Sequence, residues 1–511
     1  MSLRPATAAL RVETVRALEA AAMAELPEGT LMQRAAAAIA VSAGSMLRDV
    51  AGRVSGSRVV LLVGSGDNGG DALYAGARLA GRGVRVDAVL VDSRHHEAGA
   101  AALLRAGGRL HTADDLLAAA ELLAAADLVV DGILGIGGRG ALREPAATLA
   151  AVARETDSSV LAVDLPSGVD ADTGAVEDTD RVVTADRTIE LGTLKPGLLD
   201  GAGAARSGDL EVVDIGLDLS AVAASDVVVR IDDESAAEAL ARPVPLDDKY
   251  TRGVVGLSTG SGRYPGAAVL STGGARRGAA GYVRYSGPAY QQVVSAWPDI
   301  VSTPGRVALA GRAQCWVVGC GRGTDEEARL AILDAASMLT PLVLDADALT
   351  LLADDAEVRA AVVSRHATTV LTPHDGEFQR LAGHAVGPDR VSAALEVARS
   401  FSSVVLLKGA STVVASPSGA AWVAVAAPPE MATAGSGDVL AGFLGSLLAH
   451  HQAVAHLDDD RAAWLAACAA HVHGVAGAVA VGAGRPVAAA DIVASLPGAV
   501  AGVRGWAAAD V

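Results

Sequence analysis

Met431-Ala-Thr-Ala-Gly-Ser-Gly-Asp-Val-Leu-Ala-Gly442 sets a glycine-rich turn directly before an apolar run that continues to His450. Glycines at a helix start let exposed backbone N–H groups close around an anion, and the helix dipole adds to the attraction. Asp438, one step further in, is placed to take a proton from a hydroxyl brought up to that anion. An aspartate cap on a buried helix would fit the same letters. The neighbouring segments have to decide between the two.

Working outward, Leu407-Lys-Gly-Ala-Ser-Thr412 ends an apolar run with a lysine able to reach a phosphate. Thr372-Pro-His-Asp-Gly-Glu-Phe378 brings a histidine and carboxylates to the end of another run. Val318-Gly-Cys-Gly-Arg-Gly323 is a further glycine turn, and Leu344-Asp-Ala-Asp-Ala-Leu349 adds two carboxylates. Residues 315–318, 342–345, 369–371 and 404–407 read as short, continuously apolar strands separated by Ala/Leu-rich helices. That alternation predicts a parallel sheet covered on both faces. In such a sheet the loops at the carboxyl ends of the strands share one crevice, where ligands bind.

The first half follows the same grammar. Residues 58–63, 84–91, 128–131 and 160–164 read as strands. Three of them run into Gly64-Ser-Gly-Asp-Asn-Gly-Gly-Asp71, Asp131-Gly-Ile-Leu-Gly-Ile-Gly-Gly-Arg-Gly140 and Asp164-Leu-Pro-Ser-Gly-Val-Asp170. The first loop is neither the spaced dinucleotide fingerprint nor a P-loop. Asn68, Asp131 and Ser167 can converge from three strand ends as oxygen ligands for a hard cation. Each alone would also serve as a cap or turn former. Residues 220–248, mixed and acidic with Pro243 and Pro245, mark the boundary between the halves.

Composition sets the outer limits. A chain of 511 residues implies about two or three domains. With 51% hydrophobic but only 3% aromatic residues, the cores must be built from Ala, Val, Leu and Ile. This excludes a disordered chain, a collagen-like repeat and a disulfide scaffold. A net charge of −18 argues against nucleic acid or an anionic membrane surface as partner, but not against a nucleotide substrate. Cys315, Cys320 and Cys468 have no paired or zinc spacing, which reads as a reducing compartment. Charges within residues 1–26 interrupt any signal-peptide core, so an amphipathic helix is expected there. Residues 462–484 carry no charge but are rich in Ala and Gly and hold His471 and His473. They read as a buried helix, with the two histidines in core or capping roles rather than on a metal. His95-His96 reads as a solvated turn, and Asp458-Asp-Asp460 as a loop or helix start. Only three of the 41 basic residues are lysines: Lys195, Lys249 and Lys408. A compact ammonium does work that a planar guanidinium cannot, which singles these three out.

As a set, the first-half loops, the Val-Asp-Leu-Pro-Ser-Gly run beginning at Val163 and Thr193-Leu-Lys-Pro-Gly197 resemble the YjeF N-terminal family over about residues 10–217. Its active members are NAD(P)H-hydrate epimerases. The resemblance implies potassium at Asn68, Asp131 and Ser167. It implies that Asp67, Asn68, Gly69, Gly70 and Asp71, then Gly135, Ile136, Gly137, Gly138, Arg139, Gly140 and Ala141, and Asp164 hold the hydrated nucleotide. Asp164 would be the acid/base at C6, with Lys195 assisting. Asp67 stands where the family has Asn and Ala72 where it has Gly, and a carboxylate near a phosphate is repulsive unless offset.

Gly435-Ser-Gly-Asp438 resembles the GAGD signature of ribokinase-like kinases. Together with Lys249, Ser261-Gly-Arg-Tyr-Pro-Gly-Ala267 and the other second-half loops, it resembles the YjeF C-terminal family, the ADP/ATP-dependent NAD(P)H-hydrate dehydratases, over about residues 225–505. The resemblance implies that Asp438 deprotonates the C6 hydroxyl for phosphorylation by ADP or ATP with Mg²⁺, after which phosphate leaves. Ala267, Gly321, His374 and Asp438 would meet the hydrate. Lys408, Gly409, Ala410, Ser411, Thr412, Gly435, Ser436 and Gly437 would meet the adenine nucleotide. Asp248, Asp375 and Ala434 depart from the family's His, Pro and Gly.

The expectation is therefore an α/β chain of two domains. Residues 1–220 would form a Rossmann-like three-layer epimerase (an isomerase), and residues 221–511 a ribokinase-like dehydratase (a lyase). Expected partners are NADHX, NADPHX and an adenine nucleotide, in a cytoplasmic homo-oligomer. The competing reading is a ribokinase-like vitamin-precursor kinase fused to a non-catalytic binding module.

Overall fold

The computed structural model describes residues 4–240, 242–424 and 427–505. The chain divides into two compact units, Met1–Val228 and Val229–Val511. Residues 220–248 are not a plain linker. They contain the strand Val227–Ile231 and the helix Asp233–Ala239, whose Asp232 side chain caps the helix by accepting from Ser235 N. The polar letters there mark a capped helix start.

The first unit is built on a seven-stranded sheet. Its order is Arg109–Thr112, Arg85–Leu90, Arg58–Val63, Leu128–Gly132, Ser159–Val163, Arg187–Leu191 and Asp209–Val213. Every neighbouring pair is parallel. The central strands are buried along their length, and separate apolar clusters cover the two faces. Hence those strands read as unbroken apolar runs rather than alternating ones. The N-terminal segment is not a single helix. A short strand, Ala8–Leu10, precedes the helix Val12–Glu25.

In the second unit the strands run in the order Ala421–Ala424, Thr412–Ala415, Val404–Leu407, Thr369–Leu371, Leu342–Leu344, Cys315–Val318, Val254–Ser258, Tyr282–Ser286 and Val301–Thr303. From Val404–Leu407 to Val301–Thr303 the pairing is parallel; Thr412–Ala415 pairs antiparallel with both Val404–Leu407 and Ala421–Ala424, and Ala421–Ala424 is followed in the sheet by Val227–Ile231. The helix Ser436–Val454 lies in the main core of this unit. It packs closely on the helix Pro265–Ala275. A Cβ at Gly442 would lie 1.8 Å from the Ser271 carbonyl oxygen, and one at Gly274 2.2 Å from that of Val439. Small residues at both crossing points let the two backbones touch, which fixes the helix that begins with Gly435-Ser-Gly-Asp438.

Among the described residues one helix, Asp459–Val481, is long and apolar enough to cross a membrane. Of its most apolar window 67% is buried inside the unit, as expected of a core helix.

Candidate active sites

In the first unit, three strand ends meet. Asp131 closes its strand with its carboxylate fully buried. Ser167 donates from both its backbone N (2.8 Å) and its hydroxyl (2.7 Å) to the two Asp131 oxygens. Asn68, in the first turn of the helix Asp67–Ala80, donates its side-chain amide to the carbonyls of Leu134 (3.0 Å) and Val163 (2.8 Å). Those two bonds aim its Oδ1 at Gly135, where a Cβ would come within 2.9 Å of it. Burial pushes the Asp131 carboxyl up to about 6, with the Ser167 and Ile133 hydrogen bonds pulling the other way. No cationic side chain stands among the causes of that shift. A buried carboxylate flanked by a hydroxyl, an amide oxygen and backbone carbonyls is the donor chemistry of a hard monovalent cation.

Next to it, Asp164 sits at φ 68°, a left-handed conformation that a non-glycine residue adopts only under constraint. The constraint is visible. Asp164 N donates to Ile189 O (2.8 Å), Leu191 N donates to Asp164 Oδ1 (3.3 Å), and the Lys195 ammonium pairs with the same oxygen. Lys195 is fully buried and also donates to Thr193 O at 3.1 Å. Burial alone would lower the Lys195 pKa, but the Asp164 and Glu190 charges raise it above its ordinary value. The ammonium is therefore held charged through neutral pH, against Asp164.

A cavity of about 560 Å³ opens beside these groups, lined by Glu19, Asp67, Asp71 and His96 among apolar side chains including Met32 and Leu191. Asp71 is 7% exposed, and its Oδ1 has no hydrogen-bond partner. Burial first, then the Asp164, Asp67 and Glu19 charges, raise the Asp71 pKa well above the usual carboxylate range. Glu19 is raised in the same way, burial first and Asp164 second. Sequence reasoning missed Glu19, because nothing in a helical Ala/Glu run distinguishes it. It also missed Glu190, although a charged residue inside a buried parallel strand was a usable signal. His96 is no solvated turn. It caps the helix Glu97–Arg105 by accepting from Gly99 N (3.0 Å) and packs edge-on against Tyr74.

In the second unit Gly437, Lys408 and His374 are linked with Asp345 and Glu377, and Gly321 and Ala267 form a separate contact. The helix Ser436–Val454 starts from Gly435, at φ 91°. A Cβ at Gly437 would lie 3.4 Å from the Lys408 ammonium, so lysine and helix N-terminus border one space. Lys408 Nζ donates to Asp345 Oδ1 at 2.7 Å and stands 3.8 Å from Glu377. Glu377 N caps onto His374 Nδ1 (3.3 Å), and Glu377 Oε2 accepts from His374 N (2.9 Å), so a capping box opens the helix Asp375–Ala382. Gly321, at φ 57°, approaches Ala267 so closely that a Cβ would come within 2.6 Å of the Ala267 methyl carbon. Asp438 is pushed up to about 7, by burial first and by the Asp345 charge second. A carboxyl poised there exchanges protons readily at neutral pH.

The residues 409–412 form the turn after Val404–Leu407 and the first residue of the strand Thr412–Ala415. Arg390 braces this turn, donating to Lys408 O at 2.9 Å and to Asp375 at 2.8 Å. Lys249 lies apart from this chain, exposed, with its ammonium 5.1 Å from the centre of the Tyr250 ring and 5.9 Å from that of Tyr282. The two histidines of the last long helix are no metal pair. His471 bonds Asp233 (2.7 Å), while His473 is buried and pushed down to about 4.

Two parallel α/β units, one with a buried acid–lysine centre and one with an aspartate at a glycine-rich helix start, define an enzyme with two separate sites. A family model described as NAD(P)H-hydrate dehydratase matches residues 255–497. One described as YjeF-related protein N-terminus matches residues 28–197. The bifunctional NAD(P)H-hydrate repair enzyme Nnr of Mycobacterium tuberculosis (strain ATCC 25618 / H37Rv) is 45% identical over 441 residues, covering 86% of this chain and 88% of the relative. That of Mycobacterium leprae (strain TN) is 45% identical over 446 residues, with the same coverage. The crystal structure of the Bacillus subtilis ADP/ATP-dependent NAD(P)H-hydrate dehydratase, co-crystallized with ATP/Mg²⁺, is 25% identical and covers 53% of this chain and 97% of its own, at a TM-score of 0.46. The chain belongs to the family of bifunctional NAD(P)H-hydrate repair enzymes.

Proposed function

We propose that the two units divide one repair task. Residues 1–220 interconvert the (6R) and (6S) hydrates of NADH and NADPH. Residues 221–511 dehydrate the (6S) form to NAD(P)H at the expense of ADP or ATP. The observation that carries this is the placement of Asp438, poised near neutrality, at the glycine-rich helix start that Lys408 borders.

In the dehydratase step, Asp438 takes the proton of the C6 hydroxyl and the freed oxygen forms a bond to the terminal phosphorus of the nucleotide. The shortened nucleotide departs with the electrons of the broken P–O bond. Backbone N–H groups at 435–437 and the Lys408 ammonium hold the transferring charge. The C6–O bond then breaks, phosphate leaves with the bonding electrons, and loss of a proton from C5 restores the ring double bond. Mg²⁺ would travel on the nucleotide phosphates and neutralise their charge. Ala267, Gly321 and His374 border the hydrate, and Lys408, Gly409, Ala410, Ser411, Thr412, Gly435, Ser436 and Gly437 border the nucleotide.

In the epimerase unit Asp164, fixed by Lys195, moves the proton at the C6 hydroxyl. The 67–71 and 135–141 loops hold the rest of the nucleotide. Asn68, Asp131 and Ser167 would hold potassium, which would supply the positive charge that the buried Asp131 lacks. The chain acts in the cytoplasm as a homo-oligomer.

The test is recovery of absorbance at 340 nm from purified NADHX with Mg²⁺ and either ADP or ATP. Asp438→Ala should abolish recovery while (6R)/(6S) interconversion survives, and Asp164→Ala should do the reverse. If either substitution silences both activities in folded protein, the division of labour is wrong.

A further inference from the structure

Asp345 lies at the centre of the second site, yet it is neither the base nor a phosphate-binding group. It follows the strand Leu342–Leu344 and is 2% exposed. Its Oδ1 accepts from Lys408 Nζ at 2.7 Å and from the Thr372 hydroxyl at 2.7 Å. Its Oδ2 accepts from the Cys320 thiol at 3.3 Å. The Cys320 sulfur and one oxygen each of Asp345 and Asp438 lie within 4.8 Å of one another. Two carboxylates and a thiol are thus brought together with a single ammonium, and that ammonium is committed to Asp345.

We propose that Asp345 is the positioning residue of the dehydratase centre: it anchors Lys408 against the phosphate site and, held by Lys408, Thr372 and the Cys320 thiol, stands as a fixed anion beside Asp438. The role rests on the dehydratase function proposed above. Burial works against a charge on Asp345, but Lys408, Thr372 and Cys320 together hold its carboxyl below the usual range. Asp345 therefore keeps its negative charge across neutral pH. A fixed anion within 4.8 Å makes Asp438 reluctant to become a second one. Burial and the two carboxylates keep the Cys320 thiol protonated, and its one proton is given to Asp345 Oδ2. The other charged groups on this space are Asp347, Lys408 and Glu377, with the buried His473 behind Ser436.

This arrangement separates two substitutions. In Asp345→Asn the neighbouring charge disappears and Lys408 is free to turn toward Asp438, so Asp438 becomes more acidic. In Cys320→Ala one donor to Asp345 is lost, but Lys408 and Thr372 still hold its charge beside Asp438. The experiment is the pH dependence of kcat/KM for NADH recovery from (6S)-NADHX with saturating Mg²⁺ and ATP. Epimerase activity of each variant checks that the full chain is folded, and KM for ATP is measured in parallel. Asp345→Asn should move the inflection down by about one pH unit or more and raise KM for ATP. Cys320→Ala should move the inflection far less than Asp345→Asn does. An unmoved inflection in Asp345→Asn, or an equal shift in the two variants, would overturn the proposal. Wild-type chain that recovers no NADH would instead refute the dehydratase function, and the positioning role with it.

Discussion

Lys195→Met offers a direct measure of how the first site is held together. Methionine keeps the unbranched length of the side chain and removes the charge. In the native chain the ammonium is fully buried, paired with Asp164, 3.9 Å from Glu190 and bonded to Thr193 O at 3.1 Å. Removing it leaves Asp164 with a buried charge and no cation. Breaking a buried pair from one side costs about 3–5 kcal/mol. For a unit of this size each kcal/mol is worth about 2–4 °C, so the transition of the first unit should fall by about 6–20 °C. The sign with pH is also fixed. The raised pKa of Lys195 means that its stabilisation is complete below the ordinary value of 10.5 and is lost only at still higher pH. Wild-type stability is thus insensitive to Lys195 between pH 5 and 8. The variant can relieve its buried charge only by taking up a proton, so its deficit should be largest near pH 8 and shrink toward pH 5. Differential scanning calorimetry of the full chain reads this, with the second unit's transition identified by its shift on adding ATP and Mg²⁺. A deficit below about 1 kcal/mol at pH 8, or one equal at both pH values, would refute the placement of a buried charge pair here.

Lys408→Arg should cut NADH recovery at least about tenfold, because a guanidinium is too broad for the space between Asp345 and Gly437, while epimerisation is unchanged. Wild-type kinetics in that variant would show that lysine is kept here by composition alone. Gly442→Ala should destabilise the second unit by about 1–3 kcal/mol or more, since the new methyl group must displace the Ser271 carbonyl; an unchanged denaturation midpoint would contradict the close helix crossing. Replacing potassium by choline should lower both epimerase activity and the first unit's melting temperature. Asp131→Ala should abolish that difference between the salts; a difference that survives would place the cation elsewhere.

Much of this was legible before any coordinates. The glycine turns, the continuous apolar strands and the carboxylates at strand ends follow from local rules: backbone freedom, sheet burial and the dipole at a helix start. Residues 220–248 hold the division between the two units and also a strand, Val227–Ile231, and a helix capped by the bond from Ser235 N to Asp232, elements that the polar letters alone do not separate. Glu19 could not be read out because it owes its character to the acidic cavity it shares with Asp67 and Asp71, which are distant in sequence.

The three lysines mark the same division. Their scarcity, and their presence in motifs rather than along helix faces, were properties of the sequence alone. What each does was settled by tertiary structure. Lys195 is sealed against Asp164, Lys408 is tied to Asp345 beside the helix start, and Lys249 stays in solvent against two tyrosine rings. Sequence determined which side chains were available and which backbone turns could approach an anion. Only the fold decided which charges share a low-dielectric space. Proton affinity depends on burial and on neighbours brought from other strands, and those distances exist only once the sheet has assembled.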